Sequence, residues 1–141
     1  MPDKAAISLL QNMRRKYVLH TEGESMQPFI KSGEPITVVP VKIEDVGPGD
    51  IIIFNKYNSL IAHRILGKFE IGKRVFFVEK GDNGKVPRIL KKGDILGKVE
   101  SVGTKKLSGA RKIHHNTGTI AYISLISIIA LLYDKLASKF N

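Results

Sequence analysis

The chain has 141 residues, no cysteine, and 23 basic against 13 acidic residues, for a formal net charge of +10. The length suits one domain with an appendage, and the lack of cysteine excludes both a disulfide framework and a thiolate metal site. The charge fits an anionic partner; with basic residues scattered along the chain and no clustered aromatics for base stacking, a membrane surface is expected and nucleic acid is not.

Residues 1–16 read as a short amphipathic helix, with Ile7, Leu10 and Met13 at helical spacing before Arg14-Arg15-Lys16. Its apolar part is far too short to cross a bilayer, and no small-residue cleavage site follows a long apolar core. The expectation is therefore neither a signal peptide nor an N-terminal anchor. The helix either packs on the domain or seeks a membrane surface.

Residues 17–104 read as a β-rich domain. Candidate strands are 17–19, 36–41, 51–54, 60–66, 73–79 and 95–102. They are separated by turn signals such as Val46-Gly47-Pro48-Gly49-Asp50, Lys56-Tyr57-Asn58-Ser59 and Gly81-Asp82-Asn83-Gly84. Ile51-Ile52-Ile53-Phe54 is wholly apolar and is expected to form a hairpin with the run from Leu60 to Leu66. Many short strands between Gly, Pro, Asp and Asn turns predict a mainly β fold of barrel or sandwich type.

Residues 105–116 form a basic connector containing Lys105, Lys106, Arg111 and Lys112. The adjacent His114 and His115 have no carboxylate nearby, so neither metal nor cofactor is expected. Residues 117–133 carry no charge, and 117–136 reads as a C-terminal transmembrane helix, which would make the chain a single-pass membrane protein. A buried core helix or an oligomer contact is the alternative. The connector's basic residues outnumber Lys135 and Lys139 on the C-terminal side of the uncharged stretch, so the positive-inside tendency favours the cytoplasmic face for the β-domain, whereas a processing peptidase would act on the outer face; the face is left open.

One stretch has the makings of a reactive site. In Gly23-Glu24-Ser25-Met26-Gln27-Pro28, the proline fixes its own φ and restricts Gln27, while Gly23 permits close approach. The same pattern also suits a plain turn entering a strand. His63 shares a strand face with Ile61 and Ile65 by period two, where an imidazole needs a partner. Asp82 lies in a turn that favours aspartate for local reasons alone. Chemically, serine, histidine and aspartate would supply nucleophile, base and orienter.

These segments resemble a known family. The ordered set Gly23–Pro28, Gly49-Asp50-Ile51-Ile52-Ile53-Phe54, His63-Arg64, Lys80-Gly81-Asp82-Asn83 and Gly93-Asp94-Ile95-Leu96-Gly97-Lys98-Val99 is similar to type I signal peptidases. Within them it is closest in pattern to the ER-type branch, also found in archaea and some Gram-positive bacteria. The resemblance covers about residues 18–103. It implies a mostly β catalytic core that cleaves membrane-bound precursor polypeptides after small residues. Ser25 would be the nucleophile, with its backbone N–H as an oxyanion donor. His63 would be the base and Asp82 the acid that orients it, while Met26 and Pro28 would shape the turn; Gly49, Asp50 and Arg64 would be structural.

The chain departs from the family pattern in three ways. Gly23 and Glu24 stand where many members have Ser-Gly, so a side-chain oxyanion donor is missing. No second acid follows Asp82 before Asp94. The family's usual N-terminal anchor is not seen. Gly-Glu-Ser-Met also resembles self-cleaving repressors of the LexA type, but only 24 residues precede Ser25, too few for their DNA-binding domain. A catalytically silent relative that binds peptides or membranes is the alternative function.

Overall fold

Four consecutive apolar residues in a strand have to be covered on both faces, and the sheet is arranged to do this for Ile51–Phe54. The computed structural model describes residues 4–12 and 14–107, together with Ile129 and Leu132. It is mainly β. After a helix α1 (Lys4–Gln11) come β1 (Tyr17–His20), β2 (Pro35–Val39), β3 (Ile51–Lys56), β4 (Ser59–Ile71), β5 (Arg74–Lys80), β6 (Arg88–Lys91), β7 (Ile95–Val102) and β8 (Lys105–Lys106). All ladders are antiparallel, in the order β1-β2-β7-β3-β4-β5-β6, with β8 added to β7.

β3 is central, flanked by β7 and β4. Ile51 and Ile53 join a core with Leu10, Met26, Ile30, Ile36, Val38, Val99 and Val102. Ile52 and Phe54, one residue out of phase, join a second core with Val46, Ile65, Phe77 and Leu90. The period of two thus feeds two clusters from one strand. α1 covers part of the first cluster through Leu10, with Ile7 also buried, so the helix packs on the domain. Met13 lies outside the described residues.

β4 is long enough, at 13 residues, to serve two partners. Its first half pairs with β3, from Ser59↔Lys56 to Arg64↔Ile51, through a tight turn in which Tyr57 and Asn58 both have positive φ. Its second half pairs with β5, from Arg64↔Lys80 to Ile71↔Arg74. A register shift between Ile65 and Gly67 separates the two halves, and further shifts occur in the β2–β7 and β3–β7 ladders. Such bulges increase local twist, which lets one sheet wrap around two cores.

The sequence reading differs from the structure in a few places. β4 runs on to Ile71, past the expected end at 66, because the 67–71 stretch is held by β5. β2 stops at Val39 because Pro40 has no N–H to donate. β6 was not expected; its Arg88-Ile89-Leu90-Lys91 buries only Leu90, too little for a period-two signal. The first two residues of the expected connector, Lys105 and Lys106, belong to the sheet as β8. The expected segment 117–136 lies outside the described residues except for Ile129 and Leu132. Among the described residues no helix is long and apolar enough to cross a membrane.

At the start of β1, Lys16 Nζ contacts both carboxylate oxygens of Glu100 at 2.9 and 2.7 Å. The hydrogen bond from Lys16 and its charge, aided by Lys106, hold the Glu100 carboxyl below its usual range against a smaller opposing effect of burial. A lowered folded-state value means that this contribution is present near neutral pH and fades as pH falls through it.

Because Phe77 is fully buried at the centre of the second core, Phe77→Ala is expected to cost about 3–5 kcal/mol in urea unfolding. Val18→Ala, at a site 62% exposed, is expected to stay within about 0.5 kcal/mol of the wild type. Equal effects would contradict this placement of the core.

Candidate active site

Ser25 is presented by a turn that is anchored from beneath. Met26 and Ile30 are buried in the first core, while Ser25 itself is exposed. The turn closes through Gln27 N–H donating to Glu24 O at 3.1 Å and Ile30 N–H donating to Met26 O at 2.9 Å. Gly23 enters it at φ +86°, a region that disfavours side chains, and its N–H donates to Ser32 Oγ at 3.2 Å. The Gln27–Pro28 bond is cis. The Gly23–Pro28 stretch is therefore a fixed loop over the core and not the entry to a strand.

His63 lies on β4 opposite Ile52, on the second-core side, with its ring edge-on to Phe54 at 5.8 Å between centroids. Its Nδ1 lies 2.5 Å from Glu79 Oε2. Glu79 is 2% exposed, and its ion pair among the described residues is with His63 alone. Ladder geometry explains the pairing. Glu79 on β5 stands opposite Ile65 on β4, so His63 is its diagonal neighbour on the same face.

Asp82 takes a different place from the one expected. Its two oxygens accept from Arg64 Nε and Nη2, each at 2.8 Å, in a bidentate pair. The third arm of Arg64 donates to Gly49 O at 3.0 Å, and its guanidinium lies 4.7 Å from the Phe29 ring centroid. Adjacent residues on β4 thus bind adjacent parts of the next segment: His63 takes Glu79, and Arg64 takes Asp82. Asp50 is structural, as expected, held by Gly47 N–H and Lys98 Nζ.

The turn after β5 joins the two halves of the site. Asn83 N–H donates to Ser25 O at 2.9 Å, and Asn83 Nδ2 donates to Glu24 O at 3.3 Å. Gly81 fills the remaining space. A Cβ there would stand 2.5 Å from Ser25 O and 3.0 Å from His63 Nε2. The Ser25 carbonyl and the Nε2–Cδ2 edge of the His63 ring therefore both lie against this one glycine. Among the described residues no hydrogen bond joins the Ser25 hydroxyl to His63, a spacing common in sites without substrate.

A groove of about 500 Å³ leads to Ser25. One wall comes from Leu19 to Gly23, the other from Ser59 to Ala62, and the floor includes Met26 and Ile53. Among the described residues its wall on β4 has one unpaired edge, since β3 takes one side of Ser59–His63 while β5 joins only from Arg64 onward.

A scan against models of known protein families gives no match, and a search of curated proteins gives none either.

Of the residues singled out in the sequence, the structure puts Gly23, Ser25, Met26 and Pro28 in one turn against Gly81 and Asn83, sets His63 against Gly81, ties Asp82 to Arg64, and adds Glu79. Glu79 had a readable signal. Period two puts it on the face of Phe77, and an acid on an apolar face opposite a histidine-bearing strand calls for that histidine as its partner.

Adding a methyl at Gly81 has to displace the Ser25 carbonyl or the His63 ring. Gly81→Ala is therefore expected to abolish any Ser25-dependent turnover while moving Tm by only a few degrees. Retained activity would show that the site tolerates a wider gap.

Proposed function

We propose that this chain is a serine endopeptidase of the signal peptidase type, using Ser25 as nucleophile and His63 as general base on precursor polypeptides. The observation that carries the reading is the packing of the Ser25 carbonyl and His63 Nε2 against the same glycine, Gly81, beside a groove lined by Ser25 and Ser59–Ala62. The ordered motifs from Gly23 to Val99 support it, and so does the mainly β fold.

The groove favours an extended peptide. Backbone groups along Ser59–Ala62 that lack a neighbouring strand can pair with a substrate backbone, as in strand addition. The substrate would run toward His63 with its scissile carbonyl above Ser25. The Ser25 hydroxyl attacks the carbonyl carbon as its proton passes to His63 Nε2. The Ser25 backbone N–H donates to the oxyanion. Collapse passes that proton to the leaving amine, and water then hydrolyses the acyl-serine with His63 again as base. Residues 117–136 would hold the enzyme at a membrane, beside anchored precursors. Basic residues before that segment favour the cytoplasmic face, where the substrates would be small dedicated precursors, whereas processing of secreted precursors calls for the outer face, so the reading commits to neither.

A catalytically silent peptide-binding relative is the second reading. It is favoured by the missing side-chain oxyanion donor at positions 23–24 and by the absence, among the described residues, of a hydrogen bond between Ser25 and His63.

The test is cleavage of a panel of membrane-inserted precursors by the full chain in vesicles. Ser25→Ala and His63→Ala are each expected to lower turnover by at least about 10³-fold while the precursor still binds. Activity unchanged in Ser25→Ala sinks the peptidase reading. Binding without turnover in the wild type, across the panel, selects the silent relative.

A further inference from the structure

We infer that Glu79 is the positioning residue for His63, and that Asp82 acts instead as a structural latch. The inference rests on the peptidase reading and deepens it.

Three observations lead to it. First, the carboxylate of Glu79 is the group that touches His63 Nδ1, at 2.5 Å. A neutral imidazole carries one N–H, and the hydrogen bond at one nitrogen decides which nitrogen keeps it. A carboxylate at Nδ1 holds the proton there and leaves the Nε2 lone pair free. Nε2 is the nitrogen that faces Gly81 and Ser25, so Glu79 selects the tautomer that a general base needs.

Second, Glu79 is 2% exposed, and among the described residues its ion pair is with His63, while Arg88, opposite it on β6, forms none with it and Arg64 on the neighbouring strand holds Asp82. Burying a carboxylate without a fixed cation is costly. His63 is the one partner that becomes a cation on accepting the serine proton. Glu79 thus stabilises the imidazolium at the moment it forms, without being protonated itself.

Third, Asp82 is committed to Arg64. Both its oxygens accept from Arg64. Its neighbours Gly81 and Asn83 pack on Ser25 O, so the Arg64–Asp82 pair fixes the distance between the strand carrying His63 and the turn carrying Ser25. This accounts for the lack of a second acid after Asp82, since the orienting carboxylate comes from three residues before it.

The experiment uses the full chain with ¹⁵N-labelled histidine, the His63 signals being assigned with His63→Gln. The wild type is expected to show the Nδ1–H tautomer with a far-downfield N–H proton. Glu79→Gln, which keeps the side-chain length, is expected to lose that proton signal, whereas Asp82→Asn keeps it. This readout needs no turnover, so it stands or falls separately from the peptidase reading. In precursor cleavage, Glu79→Gln is expected to lower kcat by about 10²–10⁴-fold with KM little changed. It should add little in the His63→Ala background.

A wild-type ring protonated at Nε2 overturns the assignment. So does a downfield signal that survives Glu79→Gln, or one lost in Asp82→Asn. A kcat that drops only in proportion to loss of folded protein, measured by thermal unfolding, also overturns it in favour of a purely structural pair.

Discussion

The site depends on a single close approach, the packing of the Gly81–Asn83 turn against the Ser25 carbonyl. Ser25 belongs to a loop between β1 and β2, at one end of the sheet order. His63 belongs to β4, on the other side of the central strand. No ladder joins the two directly among the described residues. Asn83 N–H donating to Ser25 O, with Gly81 filling the gap to His63 Nε2, makes the join. A side chain at 81 would displace the Ser25 carbonyl or the His63 ring, so glycine is required there for close approach and not for an unusual φ.

Two ion pairs then orient this join from the β4–β5 ladder. His63 and Arg64 are consecutive, so their side chains project to opposite faces of β4. One reaches Glu79 on the second-core face, and the other reaches past the strand end to Asp82 and Phe29. The β4–β5 ladder starts at Arg64↔Lys80, where β5 ends, so among the described residues no strand pairs with the second side of Ser59–His63.

The sequence was legible where residues announce their own geometry. The apolar run Ile51–Phe54, the Tyr57-Asn58 turn and the Gly23–Pro28 frame each carried local signals that the structure bears out as a buried strand, a tight hairpin turn and a fixed loop. Ser25 and His63 drew attention by a stiff frame and by an imidazole on an apolar face, and their roles came from the resemblance to signal peptidases. The partner of His63 was not picked out, because β5 read alone shows an acid on an apolar face, and choosing His63 for it depends on the register across β4 and β5. Asp82 drew attention through its turn, yet its chemistry is committed to Arg64. β6 and β8 were missed because short edge strands bury almost nothing of their own.

The central claim, that Ser25 is a nucleophile activated by His63, is tested most directly by acyl transfer from an activated peptide ester, read as an adduct by mass spectrometry. The account predicts one acyl group on the peptide containing Ser25 in the wild type, and its loss in His63→Ala. An adduct elsewhere, or one formed equally well without His63, would contradict it.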